Sequence, residues 1–246
     1  MYNQLKELVK WLLPKQIMFR LEPTIRSVYA LVYRGDQFEC NLCGSALKKF
    51  VSLPDGDKLC PACGSLPRSR RLWAIVNESF LKPRTQILDF SPSRSLYRAF
   101  KNRSDTNYTC TDISGDFISD YQYDITNLEI ENHAFDLILC YHILEHIEDD
   151  GLAMKELWRV LKPGGTCLIQ TPFKSGETYE DSSVISEADR LKYFGQSDHV
   201  RIYSTEGLHE RLTRAGFQVE VRRFSEKADN RFGFSTQEVI MVCTKD

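Results

Sequence analysis

Residues 112–172 constrain this chain more than any other stretch, because two successive apolar runs end on a carboxylate. Thr111-Asp112-Ile113 closes one run and Asp124-Ile125-Thr126 closes a second, shorter one. Phe135 to Tyr141 forms another run, continued by His142-Ile143-Leu144-Glu145-His146. A helical pattern over 151–161 then leads through Lys162-Pro163-Gly164-Gly165 into a further strand. Parallel strands covered on both faces need continuous apolar runs, and ligands bind where such strands end. The pattern predicts an α/β fold with a doubly wound, mostly parallel sheet. Acids at two neighbouring strand ends suit a ligand carrying ribose hydroxyls and an exocyclic amine.

Apolar segments over 86–90, 108–113, 121–124, 136–141 and 166–171 read as five strands, with a helix over 93–101 after the first. A polar insertion of little periodicity covers 173–203. A helix over 205–215 follows, with Ser204 as N-cap and Gly216 as its stop. Two final strands cover 217–224 and 238–244. Residues 1–36 are amphipathic: Leu5, Leu8, Leu12 and Leu13 recur at helical spacing beside Lys6 and Lys10, and Phe19, Ile25, Val28, Tyr29 and Val32 form a second series. Short helices packed on the main domain account for this pattern. Trp11 and the lysines beside a leucine face also suit a helix lying in a headgroup layer, a peripheral contact at the inner face of a membrane. The expected organisation is a helical segment over 1–36, a small module over 37–72 and the main domain over 73–246.

The 42% hydrophobic content is enough for a real core, and the net charge of −2 exerts no global pull on nucleic acid. No run reaches membrane-spanning length and no signal peptide is evident, so the expected compartment is cytoplasmic. Of the eight cysteines, Cys110, Cys140, Cys167 and Cys243 sit inside apolar runs, where the thiol acts as a small hydrophobe. The others form two copies of one turn, Cys40-Asn41-Leu42-Cys43-Gly44-Ser45 and Cys60-Pro61-Ala62-Cys63-Gly64-Ser65. Four thiolates close a tetrahedral zinc shell, and the two-residue spacing brings each pair to one ion. Core or redox cysteines are the alternative, which the repeated turn disfavours. A module this small lacks a core of its own, so zinc at Cys40, Cys43, Cys60 and Cys63 is expected to be structural. Lys48, Lys49, Lys58, Arg68, Arg70 and Arg71 offer an RNA-binding face or a solvated rim, and sparse aromatics favour the rim.

The order of strands and acids resembles the class I S-adenosylmethionine-dependent methyltransferases, whose seven-stranded sheet ends on an antiparallel strand. The resemblance implies S-adenosylmethionine as cofactor, held by Asp89, Ser91 and Ser93 in the first loop, Asp112 with Ile113 at the ribose, and Asp124 with Ile125 at the adenine. It places Cys140 and Tyr141 at the floor near the methyl group. The first loop, Asp89-Phe90-Ser91-Pro92-Ser93, departs from the family's glycine-rich turn. His142 to His146 also spells the H-x-x-E-H of inverted zinc peptidases. Here the string leaves a strand end rather than lying on a helix, and it reads as a coincidence of spelling.

From residue 39 onward the chain is similar to a bacterial family in which a paired-CxxC zinc ribbon precedes the methyltransferase domain. The marks are Cys60-Pro61-Ala62-Cys63-Gly64-Ser65-Leu66, Glu177-Thr178-Tyr179-Glu180-Asp181 and Phe194-Gly195-Gln196-Ser197-Asp198-His199-Val200-Arg201-Ile202-Tyr203. The resemblance implies glycan biosynthesis, with methyl transfer to a hydroxyl of a sugar or glycan precursor. His199 is the first choice of base and His142 the second. Glu177, Tyr179, Asp181, Gln196, Asp198, Arg201 and Tyr203 are too polar a set for a core, and are expected to contact substrate or to brace a lid. An RNA methyltransferase using the ribbon, and a non-catalytic protein with a decayed cofactor site, are the alternatives.

Overall fold

The computed structural model describes residues 15–54, 56–225 and 230–246, and divides into two units. The leucine series from Leu5 to Leu13 lies outside the described residues. The first unit begins with α1 (Lys15–Ala30), followed by a short 3-10 turn, β1 (Arg34–Glu39), β2 (Ala46–Leu47), β3 (Val51–Ser52), β4 (Lys58–Leu59) and α2 (Pro67–Ile75). Two antiparallel pairs, β1 with β2 and β3 with β4, frame a core of Cys40, Leu47, Phe50 and Cys60. On α1, Ile25 and Val28 are each 63% exposed, so the apolar series read as a packed face is open.

The first unit also takes Glu226–Ser235, which the sequence reading assigns to the main domain. The reason is Arg70, whose fully buried guanidinium donates to the carbonyls of Lys58, Ser65, Phe232 and Gly233 and lies 4.2 Å from the Phe50 ring centroid. Arg71 is also buried, 3.9 Å from the Phe234 ring. Two of the six basic residues considered for an RNA face are therefore internal.

The second unit contains β5 (Gln86–Phe90), α3 (Arg94–Lys101), β6 (Asn107–Thr111), β7 (Phe135–Tyr141), α4 (Asp150–Val160), β8 (Leu161–Gln170), β9 (Phe173–Lys174), β10 (Tyr179–Glu180), α5 (Glu187–Phe194), β11 (Arg201–Ser204), α6 (Thr205–Arg214), β12 (Gln218–Ser225) and β13 (Gln237–Thr244). Its main sheet runs β12-β13-β8-β7-β5-β6, parallel except for β13, which is antiparallel to both neighbours. The doubly wound reading holds. The expected third strand over 121–124 is reduced to one parallel bridge, Thr111 to Tyr121. Tyr121, Gln122 and Asp124 are exposed, so the segment buries too little to hold a longer ladder.

Leu88, Ile138, Cys167, Ile169 and Met241 from the sheet meet Met154 and Leu157 of α4 and Leu208 and Leu212 of α6 in one cluster. The apolar positions of α4 recur at helical spacing and present one face to the strands. Ser204 caps α6 as expected, accepting from Gly207 N at 3.0 Å. The insertion is more ordered than its weak periodicity implies. It forms a small sheet, β10-β11-β9, and the helix α5, which Ser186 caps and Gly195 ends at φ +85°.

Candidate active site

Register sets the site: Phe90 lies beside Thr111 and Cys140, and Cys140 beside Ile169, so β5, β6, β7 and β8 end along one edge. At the end of β5 the chain turns through Ser91 at φ +48°, a conformation that favours glycine. Ser91 compensates with its hydroxyl, which donates to Asp112 Oδ1 at 2.7 Å across the strand ends. Asp112 is 3% exposed, and its second oxygen accepts from Ser114 Oγ at 2.8 Å and Phe117 N at 3.3 Å. Ser93 caps α3, its hydroxyl accepting from Leu96 N at 3.4 Å. A backbone turn, a buried carboxylate and a helix N-terminus thus meet at one end of β5 and β6. A cavity of about 310 Å³ beside Lys101, Arg103 and Tyr108 lies at the other end of β6, away from Asp112.

The other expected cofactor residues divide. Ile113 is 62% exposed beside Asp112, where an apolar side chain can cover a flat ring. Tyr141 is half-buried at the end of β7. Asp124 is exposed, and its Oδ1 accepts from Thr126 N and Thr126 Oγ1 at 2.8 and 2.7 Å; the Thr126 contacts hold the carboxyl below its usual range. Ile125 and Cys140 require correction, because both side chains are packed in the core. Strand alternation sends Cys140 inward while Tyr141 points the other way. Asp89 also faces inward. Burial pushes its carboxyl up to about 7, against the opposing effect of Tyr108, whose hydroxyl donates to it at 2.9 Å.

Beyond β7 the chain turns sharply at His142, φ +57°, whose amide donates to Gln170 O. The His142 side chain is 32% exposed, with Nδ1 3.3 Å from Glu145 Oε1. His199 is only 3% exposed. Its Nδ1 lies 3.3 Å from the Phe194 carbonyl, and its ring stands edge-on to His146 at 4.6 Å. Burial, then the neighbouring His146, hold His199 below the usual histidine range. Glu145, His146 and His199 each bring a ligand-type atom within 4.8 Å of the others. Sequence reasoning missed this group. Its signal was the H-x-x-E-H string, set aside as chance spelling, together with a histidine downstream.

The insertion residues separate into open and internal sets. Glu177 and Gln196 are exposed, and Tyr179 is half-buried with its ring 5.5 Å from that of Phe194. Asp181 accepts from Ser183 N and Oγ, and Asp198 lies 3.2 Å from His146 Nδ1. Arg201 and Tyr203 are buried, contrary to the expectation that such polar residues stay out of a core. The Arg201 guanidinium donates to the carbonyls of Leu144, Ile147 and Glu148 and to Glu180. Tyr203 donates to Asp150 at 2.6 Å. Every polar atom of this pair has a partner, which is what makes its burial tolerable.

In the first unit the two cysteine turns are structural copies. Gly44 N donates to Cys40 O and Gly64 N to Cys60 O, with both glycines at positive φ (71° and 77°). Sγ atoms of Cys40 and Cys63 are 3.7 Å apart, and those of Cys43 and Cys60 3.8 Å. A tetrahedron with about 2.3 Å from centre to sulfur has edges of about 3.8 Å, whereas a disulfide needs about 2.05 Å. The cluster is compatible with zinc. Contacts among the sulfurs, chiefly with Cys43, pull the Cys40 thiol down, and chiefly with Cys40 push the Cys63 thiol up.

Residues 65–221 match the family profile described as "Methyltransferase domain". The ubiquinone biosynthesis O-methyltransferase of Psychrobacter arcticus is 28% identical over 100 residues, 39% of this chain and 39% of that protein's length. Among solved structures, the (4+2)-cyclase SpnF superposes with a TM-score of 0.52 at 15% identity, covering 94% of both chains. Haemonchus contortus phosphoethanolamine N-methyltransferase 2, solved with S-adenosyl-L-methionine, gives 0.52 at 16% identity over 72% of this chain and 52% of its own. At such identities these two structures establish the fold alone, and a cyclase beside an N-methyltransferase illustrates why fold does not set the reaction. The profile match spans more than half of the sequence and takes in Asp112 at the end of β6 and Asp124 beyond it, and on that ground the chain belongs to the methyltransferase-domain family.

Proposed function

We propose that this protein transfers the methyl group of S-adenosylmethionine to a hydroxyl oxygen on a sugar or glycan precursor. The observation that carries the reading is Asp112, a buried carboxylate at the end of β6 facing the glycine-type turn at Ser91. Its oxygens are held by exchangeable hydroxyls, so a ribose diol can replace Ser91 and Ser114 as donor. Exposed Ile113 would flank the adenine, Asp124 its amine, and the N-terminus of α3 the carboxylate of the methionine portion. When bound, the cofactor supplies an electrophilic methyl: its S–C bond breaks as the acceptor's O–C bond forms, and sulfur keeps the electron pair. The oxygen relative supports O-methylation, and the strings around Tyr179 and His199 support a glycan acceptor.

The hydroxyl proton goes to His142 rather than to His199. His142 is open at the end of β7, with Nδ1 3.3 Å from Glu145 Oε1, and its Nε2 is the nitrogen proposed to meet the acceptor. Glu177, Tyr179 and Gln196 are the insertion residues proposed to meet the acceptor, a reading that the exposure of Glu177 and Gln196 supports. Zinc held by Cys40, Cys43, Cys60 and Cys63 would brace the small core of Leu47 and Phe50 in the first unit. No helix among the described residues is long and apolar enough to cross a membrane. The open Ile25 and Val28 on α1 favour peripheral contact with a lipid surface, which co-sedimentation with anionic vesicles tests. The internal positions of Arg70 and Arg71 weigh against the RNA reading.

Titration calorimetry with S-adenosylmethionine and its demethylated product tests the first half of the proposal. Binding that weakens at least tenfold in Asp112→Asn supports it, and no binding to wild type at millimolar ligand refutes it. Radiolabelled methyl transfer to a panel of sugar nucleotides and glycan precursors tests the acceptor.

A further inference from the structure

We infer that Glu145, His146 and His199 form a second metal site, one that takes a first-row divalent cation of the Mn2+, Fe2+, Co2+ or Zn2+ class. The argument begins with Glu145, which is 1% exposed while neither carboxylate oxygen has a hydrogen-bond partner. His142 Nδ1 is 3.3 Å from Oε1 but lacks hydrogen-bond geometry. A buried carboxylate with no donor is among the least favourable arrangements a fold can hold, and a cation is the usual remedy.

The histidines supply the complementary half. His199 Nδ1 is tied to the Phe194 carbonyl, which fixes the proton there and leaves the lone pair on Nε2. That Nε2 is itself buried and without a partner. His146 is braced by Asp198 at 3.2 Å and by the His199 ring. Carbonyl and carboxylate partners on the outer ring nitrogens are what metal-binding histidines use to fix tautomer and orientation. Two imidazoles and one carboxylate within 4.8 Å, with no sulfur, match the facial set that leaves coordination positions open. The position of this group supports the assignment. It lies directly after β7, where Val200 N donates to Glu145 O and joins the His199 segment to the strand end.

Cation binding stands independently of the methyl-transfer reading; its consequence for catalysis rests on that reading. A cation held by this set would lie near His142, whose Nδ1 is 3.3 Å from Glu145 Oε1. An acceptor hydroxyl bound to it would lose its proton more readily, and His142 would receive that proton. His199 is then a ligand and not the base.

Electron paramagnetic resonance of Mn2+ titrated into the full-length protein gives the direct test, since Mn2+ avoids the thiolate cluster in favour of nitrogen and oxygen donors. The expected result is one Mn2+ bound per chain in the wild type, with affinity at least tenfold weaker in Glu145→Gln and in His199→Gln. Glu145→Gln keeps the shape of the side chain and removes an unpaired charge, so it is expected to fold. A rise in melting temperature with Mn2+ in the wild type, absent in the variant, is the second readout and needs no activity. Failure of the wild type to bind Mn2+ or additional Zn2+ at millimolar concentration overturns the inference, as does unchanged affinity in both variants. Calorimetry with S-adenosylmethionine in the same samples separates loss of this site from loss of the cofactor site.

Discussion

Replacing Arg201 by methionine tests whether the insertion residues face substrate or hold the framework. The guanidinium donates to three carbonyls and one carboxylate, and its side chain is 7% exposed. Methionine fills similar volume and satisfies none of them. A buried polar group left unpaired costs about 1–3 kcal/mol. Of the four acceptors, Glu148 is exposed and can turn to water, and the Leu144 carbonyl keeps the Tyr203 hydroxyl at 3.3 Å. The main loss is the Ile147 carbonyl, together with the Arg201 packing, because Glu180 is 43% exposed and keeps Arg211 at 2.6 Å. The expected destabilisation is about 1–3 kcal/mol, the cost of one buried polar group left unpaired. In urea, with a slope of about 2 kcal/mol per molar, the midpoint should fall by roughly 0.5–1.5 M. Tyr203→Phe should lower it less, since it removes one hydroxyl while Asp150 keeps Arg211 at 2.7 Å and the Leu144 carbonyl keeps Arg201. An Arg201→Met protein whose midpoint is unchanged while acceptor affinity collapses would refute this account and return Arg201 to the substrate.

Asp89 makes stability depend on pH. Its folded carboxyl is raised to about 7, so between about pH 4 and 7 the folded chain keeps a proton that the unfolded chain releases, and stability falls as pH rises through that window. The full change is about 4 kcal/mol; Asp89→Asn should lack it, and parallel pH profiles of the two proteins would contradict the assignment. Cys43→Ser should release zinc, measured by elemental analysis, and lower solubility before it alters cofactor affinity; wild-type protein purified with no zinc and eight freely titratable thiols would exclude the metal. Ser91→Ala should cost about 1 kcal/mol through the lost bond to Asp112, whereas Ser91→Gly should be nearly neutral, because relief of the φ +48° turn offsets that loss. Thermal melts that place the two variants together would show that the backbone strain is not real.

Local chemistry made much of this protein legible without a structure. Ser93 and Ser204 announce their helices because a hydroxyl at an N-cap meets a need of the backbone nearby in sequence. The two cysteine turns declare themselves because ligand spacing and the glycine at positive φ lie within six residues of each other. Strands β5, β7 and β8 each carry an apolar stretch (Ile87–Leu88, Leu137–Cys140 and Cys167–Ile169), and Asp112 follows from where β6 stops. Burial of polar side chains is another matter, since it depends on partners far away in the chain. Nothing near Arg201 or Tyr203 reveals that carbonyls of the segment after β7, and Asp150, lie within reach. Arg70 likewise gathers Phe232 and Gly233 into the first unit through contacts that no periodicity encodes. The convergence of Glu145 and His146 with His199 belongs to the same class. Residue types and spacing name the donors, but only the packed chain decides which of them share one small volume and are left without partners.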